Sequence, residues 1–518
     1  MPFARTYSVA LVGLKGHLVE VEADISSALP NFLLLGLPDS SLSEARDRVR
    51  SAAKNSGLPL TSRKLTVNLT PATLPKKGSA FDLALVLAAL QADGQVKPSG
   101  RQVFLGELGL DGSLRPIAGV LPAVMAALEA GFEQLVVPQA NEAEAKLVPG
   151  AQVQAYSSLA DVLADLGVKD PSQLIRPQAG TQQEPPRSPE PEAKAADMAD
   201  VLGQAEGRLA LEIAAAGGHH LLLTGPPGSG KTMLAERLPG ILPPLDDQAA
   251  MEVTAIHSLC SRQGVSLKGL IRTPPFEAPH HTCSAPALLG GGAGIPRPGA
   301  ISKAHRGVLF LDEAPEFKRS VLDSLRQPLE LGSITLDRSL ASAQYPARFQ
   351  LVLAANPCPC GKDIGAGQDC RCSSRERRAY YGRLSGPLLD RIDLQVFVPR
   401  IKAGELLAGG QAESSAAIRQ RVEEARLAQR ERLEPLGVRT NAEAQGKILR
   451  GPLKLDAQIT GRLGVEVDRG TLTARGYDRV LRTAWTLADL EGATSPGRDH
   501  LDLALYFRNM AQMKGGLR

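Results

Sequence analysis

No run of about 18 uncharged apolar residues occurs in the sequence, so no membrane-spanning helix is expected. Neither sign of charge dominates: 59 Lys and Arg against 55 Asp and Glu leave a net charge of +4. Such a mildly basic chain permits a nucleic-acid partner without demanding one. The opening stretch MPFARTYSVALVGLKG lacks the basic-then-apolar layout of a secretory signal, and a cytoplasmic location is the expectation. Cysteine is scarce, six in 518 residues, and is not spread like a disulfide framework. No short-period repeat is evident. What is present is an ordinary apolar content of 43%, in a chain long enough for two to four domains that need no covalent staples.

Residues 1–171 alternate strand and helix signals and read as an α+β layer domain. Residues 7–25 predict a hairpin around Lys15-Gly16. SLSEARDRVRSAAKNSG predicts a helix with Leu42, Ala45, Val49 and Ala52 on one face and Gly57 as its stop. LTVNLT reads as an alternating strand, SAFDLALVLAALQADG as a buried helix, and Asp111-Gly112 as a hairpin turn. Residues 172–198, with Pro177, Pro185, Pro186, Pro189 and Pro191 among polar residues, read as a linker between domains that fold independently. Residues 199–400 form a second α/β unit. Residues 401–518 predict an all-helical lid.

The second unit carries the phosphate chemistry. The strand HLLLTG runs into Gly225, Pro226, Pro227, Gly228, Ser229, Gly230, Lys231 and Thr232, followed by a helix. This is GxxxxGK[ST] in its strand–loop–helix setting, a P-loop for ATP. Its backbone N–H groups and the helix N-terminus favour phosphate. Lys231 is expected to reach the β- and γ-phosphates, and Thr232 to ligate Mg²⁺. Some 80 residues on, the apolar strand VLFL ends in Asp312 and Glu313. Asp312 fits the Mg²⁺ shell and Glu313 the activation of water. Such a strand end could equally hold two solvated acids, and only the preceding P-loop favours the catalytic reading. A third strand ends at Asn356, either a turn residue before Pro357 or the group that orients the water.

Arg391, in LSGPLLDRIDLQVFV, could project to a neighbouring subunit's γ-phosphate, or pair internally with Asp390 or Asp393. In the lid helix LTARGYDRVLRTAWTLADL, Arg475 is the favoured cover for the nucleotide phosphates and Arg482 the second candidate. Cys358, Cys360, Cys370 and Cys372 form two CxC pairs suited to a structural zinc, with reactive pairs or buried thiols as the alternatives. After them, Arg375, Arg377, Arg378 and Arg383 surround Tyr380 and Tyr381, which suits stacking on nucleic acid or a plain solvated basic loop. His280, His281 and Cys283 read as a polar turn more readily than as metal ligands. Residues 278–307 form a Gly-rich insertion, and residues 331–349 predict a hairpin with Arg338 near its tip.

These motifs, with LPDSSLSEARDRVRSA, NLTPATLPKKGSAFDLAL, FEAPHHTCSAPALLGGG, PRPGAISKAHRGVLFLDEAPEF and NPCPCG, resemble the magnesium-chelatase-like AAA+ ATPases of the ComM/YifB family over nearly the whole chain. The resemblance implies a multidomain α/β fold: an S5/Lon-protease-like N-terminal domain, an AAA+ core with a helix-2 insert (278–307) and a pre-sensor hairpin (331–349), and a helical lid. It also implies a hexameric ring around single-stranded or branched DNA, and ATP-driven unwinding or branch migration that aids DNA integration in natural transformation. The alternative is a chelatase- or chaperone-like ATPase that remodels a protein partner. A Lon-type protease needs a Ser–Lys dyad. Aligned through the family's motifs, those positions fall on Ala80 and Leu121, so the domain reads as non-proteolytic. Ser79 beside them is expected to make a capping box with Asp82.

Overall fold

The computed structural model describes residues 3–36, 39–76, 78–177, 196–261, 267–292, 294–338, 341–363, 370–401 and 412–514. Residues 3–177 build a seven-stranded mixed sheet in the order β3-β4-β2-β1-β5-β8-β9. Its strands are β1 (Phe3–Val12), β2 (Lys15–Ser26), β3 (Phe32–Leu35), β4 (Lys64–Thr70), β5 (Gln102–Phe104), β8 (Gln134–Pro138) and β9 (Gln152–Tyr156). A two-residue ribbon, β6 (Glu107–Leu108) with β7 (Leu114–Arg115), flanks the expected Asp111-Gly112 turn.

Val12 lies opposite Lys15, so the first hairpin turns at Gly13-Leu14, two residues before the expected Lys15-Gly16. Gly13 takes the left-handed conformation (φ +68°) that the turn requires. Gly16 is used differently. A Cβ there would clash with that of Ala126, so its bare backbone admits the helix Val120–Glu129.

The helix Asp82–Ala92 is buried along its whole length, as its apolar sequence predicts. Over it lies the helix Asp39–Asn55, with Ala45, Val49 and Ala52 inward; it ends just before Gly57 (φ +91°). The expected Ser79–Asp82 capping box does not form. The helix begins at Asp82 with no side-chain cap. Asp82 instead pairs with Arg48 at 2.7 and 3.1 Å, and the Ser79 hydroxyl donates to Glu107. A buried carboxylate gains more from a bidentate guanidinium than from a frayed helix end.

Between the two units, Pro185, Pro186, Pro189 and Pro191 lie outside the described residues. The described ends of this stretch are held: Ile175 donates to the Ser56 carbonyl at 3.1 Å, and Asp197 accepts from the Ser415 backbone at 2.9 Å.

The second unit is a five-stranded, all-parallel sheet in the order β11-β14-β17-β10-β18. These are β10 (Leu221–Thr224), β11 (Phe276–Glu277), β14 (Val308–Leu311), β17 (Gln350–Ala355) and β18 (Leu394–Phe397). The four strands β10, β14, β17 and β18 are buried at every position, which is why they read as continuous apolar runs. The 278–307 insertion holds a small ribbon, β12 (Gly290–Gly291) with β13 (Arg297–Pro298). The 331–349 segment forms the predicted hairpin, β15 (Ser333–Asp337) with β16 (Ser342–Pro346), and Arg338 follows directly on β15. The lid is helical, with Ser415–Leu433, Ala457–Asp468, Ala474–Leu490 and Arg498–Lys514 as its long helices.

The N-terminal unit has its own core, yet it is docked on the second unit. The Glu144 carboxylate accepts from the Ser258 hydroxyl, the Gly119 N–H donates to the Ser258 carbonyl at 3.2 Å, and Gly13 sits against Ala343 of β16.

Candidate functional site

In an open parallel sheet, ligands bind at the carboxyl ends of the strands. Three such ends converge here. β10 leads into the P-loop, where Gly228 (φ +73°) and Gly230 (φ +88°) take conformations that β-carbons resist. The helix Lys231–Ile241 then starts with its N–H groups facing the loop. The Lys231 ammonium is buried and donates to the carbonyls of Gly225 (2.8 Å) and Pro226 (2.9 Å) and to Asn356 Oδ1 (3.1 Å). Burial lowers its pKa, while the charges of Asp312 and Glu313 oppose that shift. At the end of β14, Asp312 Oδ2 accepts from the Thr232 hydroxyl at 2.7 Å. These two oxygens are a hard donor pair of the kind Mg²⁺ takes alongside phosphate. Glu313 follows in the left-handed conformation (φ +49°), and its carboxylate lies 3.3 Å from His281 Nδ1.

Arg391 and Arg475 lie elsewhere. Arg391 lies three residues before β18, and His220 directly precedes β10, so both mark the amino ends of the strands. There a pocket of about 190 Å³ is lined by His220, Glu330, Arg391, Arg475, Arg479 and Arg482. Arg391 is ion-paired with Glu330, not with Asp390 or Asp393, and donates to the Pro387 carbonyl at 2.6 Å. Burial lowers its pKa, and the charges of Arg475, Arg479 and Arg326 add to the shift. Asp393 is taken by Arg479 at 2.5 Å. Burial alone would raise the Asp393 pKa, yet Arg479 and His219 hold it well below the usual carboxylate range. Arg482 donates to the Ala444 carbonyl at 2.6 Å inside the lid, whereas Arg475 is exposed. Lys231, Thr232, Asp312, Glu313 and Asn356 therefore form one cluster, and Arg391 with Arg475 a second, at opposite ends of one sheet.

Comparison with known proteins agrees with this architecture. Residues 197–406 match the family described as magnesium chelatase, subunit ChlI; residues 21–141 match subunit ChlI of Mg-chelatase, and 412–508 the ChlI C-terminal region. The chain is 41% identical to competence protein ComM of Haemophilus influenzae across 99% of both chains. It is 41% identical to the uncharacterized protein YifB of Escherichia coli across 98% of this chain and 97% of that one. The chain belongs to the ComM/YifB family of magnesium-chelatase-like proteins. An uncharacterized protein of Mycobacterium tuberculosis is 51% identical across 98% of this chain and 99% of its own. The chain is thus a ComM-like AAA+ ATPase.

In this ComM/YifB-type chain the four clustered cysteines converge. Their sulfur atoms all lie within 4.8 Å of one another, with Cys358–Cys370 and Cys360–Cys370 at 3.7 Å and Cys358–Cys360 at 3.3 Å. Thiolates bound tetrahedrally to zinc at about 2.3 Å stand roughly 3.8 Å apart, so the donor set fits that ion. The His280 and His281 rings lie tilted against each other with centres 4.1 Å apart, and join no metal-ligand cluster among the described residues.

The expected stacking platform is not available. Tyr380 is buried, and the Tyr381 hydroxyl donates to the Asn356 carbonyl at 2.8 Å. Arg377 pairs with Asp363 at 2.8 Å and Arg383 with Glu316 at 2.9 Å, leaving Arg375 and Arg378 exposed. The apolar rings turned inward to pack, and the arginines found local acids.

At the nucleotide site the sequence reading missed Gln204 and gave Tyr381 and His281 other roles, a stacking ring and a polar turn. Tyr381 supports Asn356, and His281 approaches Glu313. Gln204 (φ +56°) bonds to the Ser229 carbonyl and to that of Pro399, at 3.3 Å for the latter. No local pattern shows these contacts, because each is made across a long sequence separation.

Proposed function

We propose that the chain is an ATP-driven hexameric ring motor on DNA, a helicase or branch-migration factor that aids integration of DNA during natural transformation. The observation that carries the ring is the separation of the two clusters. β10 and β18 are each four residues long. At about 3.3 Å per residue, the arginine pocket lies at least about 13 Å from the chain's own P-loop. A guanidinium on that side meets a γ-phosphate most directly when subunits stack head to tail, so Arg391 and Arg475 act on a neighbour's ATP. Arg475 then serves in trans beside Arg391, in place of covering its own subunit's phosphates.

In this reading Lys231 exchanges its carbonyl acceptors for the β- and γ-phosphates. Thr232 and Asp312 would hold Mg²⁺, which neutralises phosphate charge. Glu313 accepts the proton of the attacking water while Asn356 orients it, and the neighbour's arginines take up charge developing on the leaving group. The four-cysteine cluster holds a structural zinc. DNA is the partner because the full-length relative is named a competence protein. The two ribbons that would face the ring's centre meet: a Cβ on Gly291 of β12 would lie 3.2 Å from the Arg338 guanidinium. With Ala80 and Leu121 at the dyad positions, the N-terminal unit serves as a non-proteolytic scaffold.

Purified protein should hydrolyse ATP faster with single-stranded or branched DNA and should displace a strand. Hydrolysis indifferent to DNA, with no strand displacement, would reject the DNA reading and leave the remodelling of a protein partner.

A further inference from the structure

The four cysteines come from two segments of the chain and converge beside the nucleotide site. Cys358 and Cys360 follow Asn356 at the end of β17, and Asn356 accepts from Lys231 at 3.1 Å. Cys370 and Cys372 immediately precede Ser373, whose side chain caps the helix Ser374–Tyr381 in a capping box with Glu376. That helix ends at Tyr381, whose hydroxyl returns to the Asn356 carbonyl at 2.8 Å. The circuit is closed: strand end, cysteine pair, cysteine pair, helix, and back to the strand end.

The same segment touches the P-loop. Gly361, at φ +72°, sits so close that a Cβ would fall 2.5 Å from Cγ and Cδ of Pro227. Both sides of this contact are stiff. One is a proline ring and the other a backbone that has no side chain to yield.

We propose that this metal-bearing loop is a positioning element of the nucleotide site: a metal held by Cys358, Cys360, Cys370 and Cys372 keeps Gly361 against Pro227 and Tyr381 against Asn356, and so holds the P-loop ready for nucleotide. Without the metal the two cysteine pairs are joined only by the chain between them and by the Arg377–Asp363 ion pair at 2.8 Å, and the start of the Ser374–Tyr381 helix loses its tightest anchor to β17. Both contacts then relax together, and nucleotide affinity falls even though no cysteine touches nucleotide. The inference rests on the reading of the cluster as a zinc site.

The test measures zinc content and the dissociation constant of a fluorescent ATP analogue on the full chain, without DNA. Stripping zinc with a chelator should raise that constant at least about tenfold, and restoring zinc should reverse the change. The paired substitution C360S/C372S should behave like the stripped protein. Gly361→Ala should keep its zinc and still bind the analogue several-fold more weakly, because the added carbon pushes the loop off Pro227. A stripped protein that stays folded by circular dichroism with an unchanged constant overturns the proposal. If stripping unfolds the chain, Gly361→Ala decides: zinc retained with an unchanged constant overturns it equally. Protein that carries no zinc and takes none up removes the metal reading itself, a result distinct from zinc bound without effect on nucleotide.

Discussion

Glu313, the proposed catalytic base, sits in a constrained position. Its left-handed backbone turns the side chain away from the line of β14, and its N–H donates to Asp312 Oδ1 at 2.8 Å. The carboxylate is half exposed and faces His281. In the proposed mechanism it takes a proton, so an isosteric amide should keep the shape and lose the chemistry. Glu313→Gln should bind nucleotide within about threefold of the parent, with turnover reduced by about 100-fold or more. Parallel measurements of analogue binding and phosphate release check this, and normal turnover would assign the base elsewhere. Lys231, Thr232, Asp312 and Glu313 were legible because each sits in a contiguous motif whose strand or helix setting is itself readable. Tyr380 and Tyr381 were not, since burial depends on what packs above them.

Among elements, the short parallel strands decide most. A sheet only four residues deep at β10 and β18 carries the P-loop at one end and the arginine pocket at the other, the two ends that the proposed ring would bring together between subunits. Arg391 and Arg475 come from segments 84 residues apart, and the lid helix Ala474–Leu490 is what brings them together. Arg391→Ala and Arg475→Ala should each cut turnover by about 10³-fold while leaving analogue binding intact. Mixing either variant with Lys231→Ala protein should recover part of the activity, because one partner supplies the arginine and the other the P-loop. Mixed preparations with no recovery would place the arginines in the same subunit's reaction.

Across the whole molecule, the half-buried His220 and the buried His305 tie the ATPase core together. His220 Nδ1 accepts from the Leu351 N–H at 3.0 Å, and His305 Nδ1 accepts from the Arg348 N–H at 3.0 Å. An accepting nitrogen must be unprotonated, and burial pushes each histidine down to about 4. Asp393 and Glu252 oppose the shift, while Arg479 and Arg306 add to it. The folded pKa values lie below the unfolded value of 6.5, so the unfolded chain binds more protons. Stability is therefore present above 6.5 and is lost as pH falls toward 4. Each histidine should cost the core about 1 kcal/mol between pH 6.5 and about 5.5. Urea midpoints of the core transition across that range check it, and a midpoint that rises on acidification would contradict it. The docked N-terminal unit belongs to the same scale. Its turn at Gly13-Leu14 abuts β16, and its Glu144 reaches Ser258, so it braces the ATPase core even though it keeps a core of its own.

By itself the sequence determined the P-loop and its acid strand, the α/β core and the cysteine cluster, because each rests on residues close in the chain or on apolar periodicity within one element. It located the hairpin insertions for the same reason. Only the tertiary structure decided that Arg391 and Arg475 share a pocket at the far end of the sheet, that Tyr381 braces Asn356 while its neighbour Tyr380 is buried, and that the cysteine loop leans on Pro227. Those outcomes depend on which distant segments are packed together, and packing is settled by the joint burial of whole elements, which no local pattern contains.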